Sequence, residues 1–243
     1  MGLDGLAVGP DQRPKGTRAG EGLSAASKRS RMSPKLPAKI LCLVTDRSLT
    51  GGEDGLVIAV QRAVEGGVNM VQLREKDLAH ADLTRLARWL RVAIGGEALI
   101  IVNGDARAAL VGGADGVQLP EGGQSVTEAR AIMGDDALIG CSVHSLTGAL
   151  KAQRAGADFL ILGTVFPSKT HPAGETIGVD GVRIVTSAVR GPIIAIGGIV
   201  VQNAREVIKA GACGVAVISA VLGAADRQQA AKSLAYEIRT VNP

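Results

Sequence analysis

Two short segments near the carboxyl end of the chain have the composition of a phosphate-binding site. Residues 195–199 read Ala-Ile-Gly-Gly-Ile and residues 217–221 read Val-Ile-Ser-Ala-Val, each at the end of an apolar run. Paired glycines let the backbone approach an anion and expose successive N–H groups, and a serine adds a hydroxyl donor. A tight turn alone would also explain the glycine pair. The predicted phosphate-binding residues are Gly197, Gly198, Ser219 and Ala220.

Arg74 and His144 are the side chains best suited to chemistry on an anionic substrate. Arg74 follows an apolar run, and its planar guanidinium matches a carboxylate or a phosphate. A structural ion pair with Glu75 or with a neighbouring residue is the alternative. An imidazole ordinarily titrates near neutral pH, so His144 suits proton transfer in both directions. A histidine that caps the next helix is the alternative for that position.

The elements that would position these residues follow a regular alternation from residue 39 onward. Short apolar runs alternate with segments of helical spacing, which predicts a parallel sheet covered by helices. Eight units with such short strands favour a single closed (β/α)8 TIM barrel over a doubly wound open sheet, and active sites of such barrels lie at the carboxyl ends of the strands. The predicted strands are residues 40–44, 70–73, 99–102, 116–119, 137–141, 159–162, 193–196 and 214–218.

Composition limits the partners of this protein. Residues 1–38 carry the whole net charge of +4 and are predicted to form a disordered tail, whereas the predicted barrel, residues 39–243, has equal numbers of acidic and basic residues. Aromatic residues make up 2% of the chain, too few for base stacking, so we expect no nucleic-acid partner. No apolar run reaches the roughly 18 residues that cross a bilayer, so we expect a cytoplasmic protein with no membrane partner.

The ends of the predicted strands carry motifs that resemble those of the thiamine phosphate synthase family, which includes the TenI-type thiazole tautomerases. These motifs are VQLREK at 71–76, IVN at 101–103, GCSVHS at 140–145, GTVFPSKT at 163–170 and the glycine segments. The resemblance implies a small phosphorylated thiazole as substrate and a catalytic set of Ser142, His144 and Arg74. The substrate-binding residues that it implies are Gln72, Lys76, Asn103, Ser168 and Thr170.

The sequence departs from the synthase pattern where magnesium would bind. Glycines, Gly104 and Gly123, stand where synthases have carboxylates, and Gly has no side-chain oxygen for this hard cation. Asp105 or Glu121 could substitute if the loops shift. We therefore predict a metal-independent thiazole tautomerase without a cofactor. The alternatives are a Mg²⁺-dependent thiamine phosphate synthase and a non-catalytic regulator that binds thiazole phosphate, and the sequence leaves monomer and homo-oligomer open.

Overall fold

The computed structural model describes residues 1–2, 35–168 and 175–241, and its centre is a closed barrel of eight parallel strands in sequential order. The first strand pairs with the second and with the eighth, which closes the sheet. The predicted (β/α)8 barrel is confirmed, and the open sheet considered as its rival is wrong. The predicted tail, residues 1–38, lies mostly outside the described residues, and the proposed domain boundary stays a prediction.

The strands are short and each is followed by a helix. The strands are β1 Ile40–Val44, β2 Met70–Leu73, β3 Leu99–Asn103, β4 Gly116–Leu119, β5 Leu138–Val143, β6 Phe159–Leu162, β7 Ile193–Ile196 and β8 Gly214–Val217. The helices are α1 Glu53–Glu65, α2 His80–Ile94, α3 Ala106–Gly112, α4 Val126–Met133, α5 Leu146–Arg154, α6 Gly178–Ala188, α7 Val201–Lys209, α8 Ser219–Leu222 and α9 Arg227–Arg239. No helix within the described segments is long and apolar enough to cross a bilayer.

The alternation of side chains along each strand separates two apolar layers. One face packs against the helices, as Val117 and Leu119 of β4 do. The other face fills the barrel, where Cys42, Met70 and Phe159 belong to a separate buried cluster. Because side chains alternate, the residues between the outward-facing ones point into the barrel. Toward the carboxyl ends of β2 to β5 these inward positions become polar, and this change marks the floor of the candidate site.

Candidate active site

Four polar side chains on adjacent strands form an arc across one half of the barrel mouth. Gln72 on β2 donates from Nε2 to Oδ1 of Asn103 on β3, at 3.0 Å. Gln118 on β4 donates from Nε2 to Oγ of Ser142 on β5, also at 3.0 Å. Asn103 and Gln118 are neighbours in the strand register. Three of these residues were predicted from the sequence as site residues, and the structure brings them together. Gln118 was missed as a site residue, although it occupies the same alternating inward position as Gln72.

Arg74 and Lys76 follow this arc in the loop after β2. The backbone N–H of Arg74 donates to Oγ1 of Thr45, at 2.9 Å, which fixes the start of the loop. Neither cationic side chain has a hydrogen bond or an ion pair with the described part of the chain. The ion pair considered for Arg74 is not formed there, because Glu75 pairs with Arg47 instead, at 3.0 Å. Both cations are therefore available to an anionic ligand.

Arg47 ties the loop after β1 to the loop after β2. Its guanidinium contacts the buried carboxylate of Glu75 and also the carboxylate of Asp77, with an Nη1–Oδ1 distance of 2.6 Å. The hydrogen bonds from Arg47 hold the pKa of Asp77 below its usual range. A cavity of about 440 Å³ opens beside this network. The network stabilises the loop that carries Arg74 and Lys76.

His144 lies beyond the end of β5 and pairs with Glu121 from the loop after β4. The Nδ1–Oε2 distance is 2.6 Å, and both side chains are more than half exposed. A carboxylate at Nδ1 fixes the orientation of an imidazole and leaves Nε2 as the nitrogen that can exchange a proton. The capping role considered for His144 is wrong, because Ser145 caps α5. The sequence analysis weighed Glu121 only as a metal ligand and missed this pairing.

Asp105 has both carboxylate oxygens engaged. Oδ1 accepts from the N–H of Ala108 at 2.8 Å and caps α3, while Oδ2 lies 2.8 Å from Nδ1 of His80. The preceding residue, Gly104, has a φ of +79° and carries no ligand atom on a side chain. The described residues hold no group of three or more His, Cys, Asp or Glu that could bind a metal. The magnesium ligands of a synthase are therefore not assembled here, and a metal ion does not fit these residues as they stand.

The glycine pair after β7 packs against the loop after β6. Gly197 and Gly198 have φ values of +105° and +62°, and a Cβ on Gly197 would come within 2.4 Å of Thr164 Cγ2. The N–H of Phe166 donates to the carbonyl of Gly197, at 3.0 Å. Close packing thus requires these glycines whether or not they bind an anion. In the two glycine segments, the N–H groups with no backbone hydrogen bond to another described residue include those of Gly198, Ile199, Ser219 and Ala220.

Two predicted substrate contacts belong to the loop after β6. Ser168 is half-buried in that loop. Thr170 lies outside the described residues, so its role stays a prediction. This loop and the two glycine segments follow β6, β7 and β8, which places them on the half of the mouth opposite the polar arc.

The sequence of this chain is similar to those of a family of known proteins. A family model described as thiamine monophosphate synthase matches residues 41–221 of the chain. This chain belongs to the thiamine monophosphate synthase family. The thiamine-phosphate synthase of Pyrococcus furiosus is 40% identical over 195 residues, covering 80% of this chain and 92% of the relative. That of Chlorobium luteolum is 41% identical over 204 residues, covering 83% and 93%.

A solved structure of thiamine phosphate pyrophosphorylase from Pyrococcus furiosus superimposes with a TM-score of 0.75. It is 37% identical in sequence, and the match covers 83% of this chain and 96% of that one. The family resemblance inferred from the strand-end motifs is confirmed, and the chain is an enzyme of this family, which supports a role in thiamine biosynthesis. The names of these relatives favour the synthase, our alternative, over the tautomerase that we placed first.

Proposed function

We propose that this protein is a thiamine-phosphate synthase, which joins hydroxymethylpyrimidine diphosphate to thiazole phosphate and releases pyrophosphate. The observation that carries the proposal is an identity of about 40% over more than nine-tenths of curated synthases. The polar arc agrees with it, as do Arg74 and Lys76 after β2, whose side chains make no ion pair with the described part of the chain. These groups are present even though glycine stands where the resemblance implies metal carboxylates.

Each of the two substrates would bind to one half of the barrel mouth. The glycine segments after β7 and β8 would hold the thiazole phosphate through backbone N–H groups and the Ser219 hydroxyl. The polar arc of β2 to β5 would hydrogen-bond the pyrimidine diphosphate. The thiazole nitrogen attacks the methylene carbon of the pyrimidine, a C–N bond forms, and the C–O bond to diphosphate breaks. The electron pair of that bond leaves with pyrophosphate.

Arg74 and Lys76 would stabilise the negative charge that develops on the departing pyrophosphate. Fixed cations aimed at developing charge commonly supply a large part of a rate enhancement. Synthases of this family, by the resemblance, use Mg²⁺ for the same purpose. Here Gly104 supplies no carboxylate and Asp105 is engaged with α3 and His80. Arg74 and Lys76 would therefore be the groups of this chain that stabilise the charge on the departing pyrophosphate.

A thiazole tautomerase is the second candidate, and the pair of His144 with Glu121 favours it. The reaction moves a proton on thiazole carboxylate phosphate and produces the aromatic ring. A histidine whose Nδ1 is held by a carboxylate can accept and return that proton through Nε2. Arg74 would then hold the substrate carboxylate, and Ser142 would hydrogen-bond the ring. This reaction needs none of the carboxylates that the chain lacks.

One set of purified variants decides between the two reactions. Wild-type protein supplied with both synthase substrates, with and without Mg²⁺, should form thiamine phosphate, measured by chromatography. Arg74→Ala should lower kcat/KM for this transfer by about a hundredfold, because a charge-stabilising donor is lost. His144→Ala should leave most of the transfer activity intact. Proton–deuterium exchange on thiazole carboxylate phosphate measures the tautomerase reaction on the same proteins.

Arg85→Ala is the matched control for Arg74→Ala. Arg85 on α2 makes an ion pair with Glu53 on α1, and neither residue belongs to the polar arc or to the glycine segments. Its loss should change neither reaction. If the wild type forms no thiamine phosphate but exchanges the proton, and His144→Ala abolishes that exchange, the synthase proposal is wrong and the tautomerase stands. If neither reaction occurs, both proposals fall.

A further inference from the structure

Gln118, like Gln72, is a buried amide of the barrel interior whose oxygen has no hydrogen-bond partner among the described residues. Gln118 is completely buried. Its Nε2 donates to the Ser142 hydroxyl. A buried amide that leaves its oxygen unpaired loses the hydrogen bonds that water would give, so a compensating role at the site is expected. Among the described residues, the side chain of Gln118 hydrogen-bonds to one residue, the predicted catalytic Ser142.

Close packing surrounds the amide of Gln118. Gly140 lies beside it on β5, and a Cβ on that glycine would be 2.2 Å from Oε1 of Gln118 and 2.3 Å from Cζ of Phe159. The amide oxygen and the tip of the ring therefore both occupy the space that the missing Cβ of Gly140 leaves. In this packing Nε2 lies toward Ser142, to which it donates.

The fixed amide decides what the Ser142 hydroxyl can do. A hydroxyl has one proton to donate and can also accept hydrogen bonds. Nε2 of Gln118 donates a hydrogen bond to Oγ of Ser142, so the hydroxyl proton of Ser142 cannot point to that nitrogen. It is directed to another acceptor at the barrel mouth. Gln72 orients Asn103 in the same way. Nε2 of Gln72 donates to Oδ1 of Asn103, so the NH₂ group of Asn103 remains as a donor.

We propose that Gln118 is a positioning residue that fixes the Ser142 hydroxyl as a hydrogen-bond donor to an anionic oxygen of the substrate. The ligand class follows from what this part of the mouth offers, namely the Ser142 hydroxyl, the Asn103 NH₂ group and the cations Arg74 and Lys76. All of them are donors or positive charges, so they suit diphosphate oxygens. The inference rests on the proposed function for its substrate and deepens it.

A double-mutant cycle tests the coupling between the two residues. Ser142→Ala and Gln118→Met should each lower kcat/KM of the wild-type reaction about tenfold, the factor for one hydrogen bond to a charged group. The double variant should be no worse than either single variant, because Gln118 acts only through Ser142. Gln118→His keeps an N–H donor and should recover activity to within about threefold of wild type.

The controls separate positioning from a merely structural role. Gln61→Met removes an amide that donates to the carbonyl of Ala93 between α1 and α2, and it should leave activity unchanged. Thermal unfolding of every variant shows which are folded at the assay temperature. Independent, additive losses in the cycle, or full activity of folded Gln118→Met, would overturn the positioning role. So would a Gln118→His variant no better than Gln118→Met.

Binding of inorganic pyrophosphate, measured by calorimetry, gives the same cycle without turnover. Ser142→Ala and Gln118→Met should weaken that binding by a similar factor, with no further loss in the double variant. An enzyme that binds pyrophosphate with this coupling but makes no thiamine phosphate would contradict the proposed function and support the role of Gln118. A wild-type protein that does not bind pyrophosphate would overturn the assignment of the ligand.

Discussion

Asp105 carries two interactions with one carboxylate, and their balance can be measured through pH. Burial alone would raise its pKa, but hydrogen bonds from the Ala108 N–H and from His80 outweigh burial, and the pKa lies below its ordinary value of 3.8. A group whose pKa falls on folding stabilises the folded state above its unfolded pKa and loses that contribution as the pH drops through the folded value. The carboxylate of Asp105 should therefore stabilise the protein at pH 5 and contribute little in strong acid.

Asp105→Asn tests this at the residue scale. The amide oxygen of Asn still caps α3, whereas the negative charge beside His80 is gone. The free energy of unfolding of wild type should exceed that of the variant at pH 5, and the difference should shrink as the pH falls below about 4. Urea denaturation at several pH values measures it. A difference that stays constant down to pH 3 would contradict a stabilising carboxylate.

The chemistry of single residues could be predicted from the sequence, whereas their hydrogen-bond and ion-pair partners could not. Arg74, Asn103 and Ser142 were identified because their types and motif positions are informative on their own. The partner of each residue depends on strand register and on how neighbouring loops meet. Glu121 and His144, for example, are 23 residues apart and touch only because consecutive loops adjoin at the barrel mouth.

Among the elements, three strands are each preceded by a polar residue whose side chain accepts a hydrogen bond from the strand before. These strands are β2, β4 and β6. Asn69 precedes β2 and accepts from the N–H of Leu41 at 3.0 Å. Asp115 precedes β4 and Asp158 precedes β6, and they accept from Ile100 at 2.8 Å and Ile139 at 2.7 Å. Each aspartate also forms an ion pair with an arginine of a preceding helix, Asp115 with Arg91 and Asp158 with Arg130. These contacts tie the amino ends of the strands together on the face opposite the site.

Asp115→Ala should be strongly destabilising because it removes one member of a largely buried ion pair with Arg91. The Asp115 side chain is 11% exposed, and breaking such a pair costs about 3–5 kcal/mol. Asp158→Ala should cost less, since that side chain is 35% exposed. Asp115→Asn keeps an acceptor for Ile100 and should fall between wild type and Asp115→Ala. Urea denaturation measures all three, and equal losses at both positions would contradict the dependence on burial.

The order and type of the elements followed from apolar periodicity, but their ends did not. The prediction stopped β5 at Cys141 because Ser142 interrupts the apolar run, yet β5 continues to Val143, since inward positions near the mouth are polar. The last helix, α9, begins at Arg227 directly after the capping residue Asp226. The four-residue α8 was missed because one helical turn has no period to detect.

In the molecule as a whole, large and small side chains on neighbouring strands fit together to fill the barrel. Phe159 on β6 is buried, and its register neighbour on β5 is Gly140. The ring lies over the glycine, where a Cβ would be 2.3 Å from Cζ. The sequence predicted a closed barrel from the number and length of its strands. It could not show this contact, because closure sets the register that brings these two positions side by side.

Gly140→Ala should destabilise the whole barrel, although alanine is ordinarily the better residue within a strand. The added methyl group collides with a rigid ring and with the buried amide of Gln118, and overpacking of this kind costs about 1–3 kcal/mol. Gly148→Ala is the control, because a Cβ there meets nothing closer than 3.4 Å. Thermal denaturation should show a lower Tm for Gly140→Ala and an unchanged or higher Tm for the control.

Phe159→Leu supplies the decisive comparison, because it removes the ring atoms that the new methyl group would strike. By itself it should destabilise by leaving a cavity. Combined with Gly140→Ala it should cost less than the two single changes together, by about 0.5 kcal/mol or more. Strict additivity would mean that the methyl group is accommodated without touching the ring. The interior would then be looser than the structure shows, and Gln118 would lose the wall that holds its amide in place.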